Sequence, residues 1–107
     1  MGVSKNYLHS EKVIQLAELA KIISHPARIS ILNYIGDCEG CSCKNISEKI
    51  KLAQPTTSQH LQIIKKSGLL SSYFEGKSQY YKIDREGLKS FKNLFEDFFE
   101  STEQKCC

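Results

Sequence analysis

Chemistry in this chain is concentrated in its cysteines, of which there are 5 in 107 residues. Cys41 and Cys43 form a C-x-C, Cys38 lies three residues earlier, and Cys106 and Cys107 end the sequence. Thiolates select soft ions such as cadmium, zinc, lead and copper(I). The first residues lack a signal-peptide pattern, so a reducing, cytoplasmic setting is expected. An odd number of cysteines there argues for metal or redox chemistry rather than a disulfide framework. Sulfurs at i and i+2 do not face each other on a regular helix. One ion therefore reaches both Cys41 and Cys43 only if the backbone there is irregular or unwinds. Cys38-x-x-Cys41 is also formally a C-x-x-C. A redox enzyme would carry that motif at a helix N-terminus after a strand in a βαβ setting. No such strand is expected, no base or third group completes a catalytic set, and the chain does not read as an enzyme.

The cysteines precede the stretch around which the chain is organised, CKNISEKIKLAQPTTSQHLQIIKKSG at 43–68. It reads as two short helices joined by a turn. Ile46 and Ile50 give the first an apolar stripe at i, i+4. Leu52 and Ala53 carry the chain into the turn. A residue before proline is pushed out of the α region, and proline suits the first helical position. Gln54 is therefore expected as the N-cap and Pro55 as the start of the second helix. That helix should bury Thr57, Leu61 and Ile64 and end at Gly68. Its other face carries Thr56, Ser58, Gln59, Gln62 and Lys65, hydrogen-bonding side chains without a carboxylate, which suits contact with base edges and phosphates. The reading is a helix-turn-helix with its recognition helix at about 54–67.

The remaining elements frame it. Val13, Leu16, Ala17, Ala20 and Ile23 recur at helical spacing over 9–24, with Ser10 as a cap and His25-Pro26 as the stop. A second helix from Pro26 should bury Ile29, Leu32 and Ile35, followed by a loop over 36–40. LLSSYF at 69–74 and QYYKI at 79–83 have strand composition around the turn Glu75-Gly76-Lys77-Ser78. This hairpin, about 69–83, reads as a wing with Lys77 at its tip. A last helix, about 84–101 and capped by Asp84, carries Leu88, Phe91, Leu94, Phe95, Phe98 and Phe99. That is more aromatic surface than a small monomer leaves bare, so the first and last helices are the expected dimer interface. The expected fold is mainly α, in the order α-α-α-α-β-β-α, as one winged helix-turn-helix domain over 1–107.

Charge is unevenly placed although the net is only +3. Residues 1–43 are net zero, 44–82 carry +5 and 83–107 carry −2. The positive charge thus falls on the helix-turn-helix and wing, the footprint of a DNA-binding face. No apolar run of 18 or more is present, so a membrane span is not expected.

The order of these elements and their motifs resemble the ArsR/SmtB family of winged-helix metalloregulators over residues 12–100. His25-Pro26-Ala27-Arg28 followed by Ile29–Ile35 resembles the family's opening HPxRLxIL. Glu39-Gly40-Cys41-Ser42-Cys43 resembles its ELCVC metal box. Gln54-Pro55-Thr56-Thr57-Ser58-Gln59-His60-Leu61 resembles SQPTVSxHL, and Lys66-Ser67-Gly68-Leu69-Leu70 resembles xxAGLV. Ala53 departs from the family's common serine, which weakens the cap of the recognition helix unless Gln54 or Thr56 compensates.

The resemblance implies a homodimeric repressor on a palindromic double-stranded operator, released by an inducer and needing no cofactor to bind DNA. The implied DNA contacts are Gln54, Thr56, Thr57, Ser58, Gln59, His60, Gln62, Lys65, Lys66 and Lys77. The implied inducer is As(III) or Sb(III), or else cadmium, zinc, lead or copper(I), on Cys41 and Cys43. In arsenic-sensing members a third thiol lies three residues after the C-x-C, where this chain has Ile46. Cys38, or Cys106 or Cys107 from either subunit, are the substitutes. A second family zinc site is matched by Asp84, Glu86, Asp97 and Glu100, with carboxylates in place of both histidines, and zinc prefers nitrogen and sulfur there. A redox or reactive-sulfur switch on the same fold is the alternative, with Cys38 pairing with Cys106 or Cys107. His25 is expected to be structural, His60 to touch phosphate or pack against the wing, and His9 to be solvated.

Overall fold

The computed structural model describes residues 9–38 and 40–105. Helix α1 spans Glu11–Ile22, and its Ser10 cap accepts a hydrogen bond from the Val13 amide at 3.3 Å. Helix α2, Pro26–Gly36, starts with proline at N1 behind His25, which is extended as a residue before proline prefers to be. Strand β1 is only Cys41–Ser42. Helix α3 is Cys43–Ile50, α4 Gln54–Lys66, β2 Leu70–Glu75, β3 Ser78–Ile83 and α5 Arg85–Lys105. The expected winged helix-turn-helix is therefore the fold, with one strand added and the last helix four residues longer than the pattern to 101 suggested.

The three strands form an antiparallel sheet in the order β1-β3-β2. Glu75 pairs with Ser78, leaving Gly76-Lys77 as a two-residue turn. Gly76 has φ +63°, the left-handed value such a turn demands at its first position. Lys51 closes α3 at φ 67°, which turns the chain sharply toward α4.

The core lies where α2, α3 and α4 meet the root of the hairpin. Ile31, Ile35, Ile46, Leu61, Ile64, Leu69, Leu70 and Tyr81 are its buried members, and Phe91 joins from α5. One expectation fails here. Ile29 is 45% exposed, because α2 buries Ile31 and Ile35 at i, i+4 instead. Val13 and Ala17 are exposed, and α1 packs on the core through Leu19, Ile22 and Ile23. Val13 on α1 and Leu88, Phe98 and Phe99 on α5 remain exposed. Among the described residues no helix is long and apolar enough to cross a membrane.

Candidate nucleic-acid interface and cysteine site

Helix α4 sets out most of the expected DNA contacts. Gln54, Thr56, Gln59, Gln62, Lys65 and Lys66 are exposed along it, Ser58 is half-buried, and Lys77 is exposed at the hairpin turn. Two predicted contacts are corrected. Thr57 is fully buried, and its hydroxyl donates to the Ala53 carbonyl at 3.0 Å. His60 is buried between helices, where its Nδ1 accepts from Arg28 Nε at 3.0 Å. The His25 ring stands edge-on to it at 4.9 Å. Burial first, then the charges of Arg28 and His25, hold His60 below its ordinary pKa. The imidazole is thus neutral, as accepting from a guanidinium requires, and it ties α4 to α2 instead of touching DNA. The N-cap is also corrected: Ala53 occupies it with no side-chain hydrogen bond, and Gln54 is the first helical residue.

The cysteines lie at the root of the wing. Cys41 pairs with Tyr81 and Ser42 with Tyr80 across β1 and β3. Cys41 is thus in a strand and not in the helix, where the spacing argument placed it. Cys43 opens α3 behind Ser42, whose hydroxyl caps the helix by accepting from the Asn45 amide at 3.1 Å. Cys38 and Cys41 are joined as a disulfide, with Cα atoms 6.6 Å apart. The expected redox partners of Cys38, Cys106 and Cys107, lie outside the described residues. Gly40 holds this loop: its φ is +143°, and a Cβ there would collide with the Tyr73 hydroxyl. Tyr73 in turn stacks on Tyr80 at 5.7 Å.

Cys43 has the remaining free thiol among the described residues. Its sulfur donates to the Gln54 carbonyl, at 3.7 Å, on the first residue of α4. Burial pushes this thiol up from its ordinary pKa, so it carries its proton at neutral pH. A second thread runs beside it. Gln62 of α4 donates to the Tyr81 hydroxyl at 3.4 Å, and Tyr81 is the strand partner of Cys41. Burial, then the neighbouring Cys43 sulfur, raise the Tyr81 phenol, while the Gln62 bond pulls the other way. Sequence reasoning left Tyr81, Arg28 and Gly40 without these roles, because their partners are distant in the chain.

No three His, Cys, Asp or Glu side chains converge on one point among the described residues. Two of the four carboxylates at the last helix are engaged otherwise. Asp84 caps α5 by accepting from the Gly87 amide at 3.0 Å, and Asp97 meets Lys12 of α1 at 3.2 Å.

Comparison with known proteins places this geometry. Residues 25–72 match the family model described as bacterial regulatory protein, arsR family. An uncharacterized HTH-type transcriptional regulator of Methanocaldococcus jannaschii, MJ1325, is 35% identical over 88 residues, covering 81% of this chain and 98% of the relative. An arsenical resistance operon repressor of Staphylococcus xylosus is 27% identical over 92 residues, covering 86% of each. The homodimeric winged helix-turn-helix DNA-binding domain of Mb0332 from Mycobacterium bovis shares the fold with a TM-score of 0.67. Identity is 24%, covering 96% of this chain and 92% of that one.

Proposed function

The chain belongs to the ArsR family of bacterial transcriptional regulators, and on that premise we propose that it is a dimeric repressor whose operator is released when Cys38, Cys41 and Cys43 bind a soft metal or metalloid ion. Trivalent arsenic or antimony comes before cadmium, zinc, lead or copper(I). One observation carries the reading: the Cys43 sulfur touches the carbonyl of Gln54, the residue that starts the recognition helix. The arsenical repressor of Staphylococcus xylosus among the relatives supports the choice of metalloid.

The mechanism follows from the chain's own contacts. With the Cys38–Cys41 bond reduced, Cys38, in the loop, and Cys41, in β1, supply two sulfurs separated by a tight turn. Cys43 completes a trithiolate only by leaving Gln54. That movement removes a hydrogen bond at the start of α4 and pulls on β1, whose partner Tyr81 holds Gln62. Both threads end on the helix that presents Thr56, Ser58, Gln59 and Gln62 to bases and Lys65 and Lys66 to phosphates. In a dimer, two such helices enter successive major grooves about 34–36 Å apart, with Lys77 of each wing on a flanking phosphate. The apolar side chains of α1 and α5 join the subunits, since Val13, Phe98 and Phe99 are each at least 46% exposed in one protomer.

The test is fluorescence anisotropy of the reduced protein on a palindrome from its own promoter, titrated with arsenite and then cadmium. Wild type should release DNA. Cys43→Ser should bind DNA and stay bound. A Cys43→Ser protein that responds fully would remove the link between thiol and helix. Loss of response in a Cys106→Ser, Cys107→Ser double variant, with Cys38→Ser unaffected, would move the third ligand to the C-terminal tail.

A further inference from the structure

The reduced-state reading leaves two features unused: the Cys38–Cys41 bond and the groove beside it. Cys38 is half-buried and lines an open groove of about 820 Å³ between the end of α2, β3 and the start of α5. Lys82, Arg85, Lys89 and Lys92 line the same groove, against one carboxylate, Asp37, among the described residues. Lys92 also sits 3.9 Å from exposed Glu96, and Lys82 lies 5.7 Å from the centre of the Tyr73 ring. Among the described residues the groove therefore keeps a positive balance. Cys41 is 2% exposed behind Cys38. One sulfur faces a cationic cleft and its partner waits behind it, an arrangement with separate entry and resolving positions.

We propose that Cys38 and Cys41 form a thiol–disulfide exchange site whose basic groove takes an anionic low-molecular-weight disulfide. The Cys38 thiolate attacks one sulfur of that disulfide. Its S–S bond breaks, one small thiolate leaves, and a mixed disulfide forms on Cys38. Cys41, its proton lost to water, then attacks the Cys38 sulfur and expels the second small thiolate. Two protein thiols lose two electrons, and one small disulfide is reduced to two thiols that take up the protons. The groove selects by charge, because a cleft lined by one sign raises the local concentration of its counter-ion. A consequence rests on the inducer reading above. The bonded sulfurs cannot ligate an ion, yet the Cys43 contact to Gln54 and the Gln62 bond to Tyr81 both coexist with the Cys38–Cys41 bond. The oxidised repressor holds its operator and ignores the inducer.

The experiment uses full-length reduced dimer and three probes: glutathione disulfide (anionic), hydroxyethyl disulfide (neutral) and cystamine (cationic). Formation of the 38–41 bond is followed by alkylation and peptide mass spectrometry, with rates normalised to a free peptide of residues 36–44. Glutathione disulfide should gain roughly tenfold or more over the neutral probe. The gain should shrink with salt and in the triple variant Arg85→Gln, Lys89→Gln, Lys92→Gln. Cys41→Ser should trap the mixed disulfide on Cys38. Equal normalised rates for the three probes, or an adduct on Cys43 in place of Cys38, overturns the site. In a second arm the oxidised protein is held on its operator and given arsenite. Release there overturns the withdrawal of the two sulfurs. Exchange at the groove in a protein whose reduced form ignores arsenite supports the exchange site and fails the inducer reading alone.

Discussion

Gly87 offers a perturbation whose sign depends on the architecture. It is the third residue of α5, whose start lies against the end of α4. Replacing glycine by alanine inside a helix ordinarily stabilises by about 0.8–1.0 kcal/mol. At Gly87, however, an added Cβ would run into the carbonyl oxygen of Gly68, just past the cap of α4. The obstacle is backbone and cannot swing aside as a side chain would. Overpacking of this kind costs about 1–3 kcal/mol, so Gly87→Ala should cancel the propensity gain at least and lose up to about 2 kcal/mol net. Exposed Ser90, in the same helix, is the control. Ser90→Ala should gain a few tenths, about 0.5 kcal/mol at most. Urea melts at one fixed protein concentration give both numbers, since a dimer's midpoint moves with concentration. Gly87 also lies where α5 meets the end of α4, so on the proposed function operator affinity should fall with stability. A Gly87→Ala protein that is stabilised like Ser90→Ala would refute the packing of α5 on the end of α4.

Lys65→Ala should weaken binding to every DNA sequence and lower the slope of log affinity against log salt by about one, measured by anisotropy across a salt series. A change in base preference at unchanged slope would mean Lys65 reads bases. Phe99→Lys removes an aromatic that is 60% exposed in one protomer. A full Phe burial is worth about 1.5–3 kcal/mol, about three-fifths of it is left for the interface to bury and the two-fold axis counts it twice, so the dimer should weaken by about 2–4 kcal/mol by sedimentation. An unchanged dimer would place the interface elsewhere. Burial, then the charges of Arg28 and His25, hold His60 below the ordinary histidine value of 6.5 in the folded chain. Between the two values the unfolded chain holds more protons, so the stability this group contributes is present above 6.5 and is lost as pH falls through the folded value. Melts from pH 7.5 down to 5 should show this loss, and His60→Gln should lessen it; an identical pH profile would argue against a buried neutral imidazole.

The helix-turn-helix was readable because its signals are local. Pro55 marks the start of α4, and Thr57, Leu61 and Ile64 repeat at the spacing of one buried face, as found. The wing was readable from aromatic strands around Gly76. Helix α2 was harder, since Ile29, Ile31, Leu32 and Ile35 are apolar on nearly every side. Spacing cannot choose between two registers there, and the partners of Ile31 and Ile35 made the choice. Strand β1 is too short to carry a pattern, and it exists because Tyr80 and Tyr81 lie opposite it. Missing it put Cys41 on a helix and left the cysteine loop unconnected to the wing. The burial of His60 was hidden for the same reason: Arg28, which donates to it, is 32 residues away. In the candidate site, then, residue types were legible and their partnerships were not.

The central claim is that cysteine ligation and operator binding are coupled through the start of α4. The most direct measurement is arsenite affinity of the reduced protein, free and saturated with operator, read by thiolate–ion absorbance. Linkage requires the operator to weaken arsenite binding by the same factor that arsenite weakens the operator, typically about 5–150-fold. The account predicts this reciprocal loss in wild type and its disappearance in Cys43→Ser. Equal arsenite affinity with and without operator would contradict it.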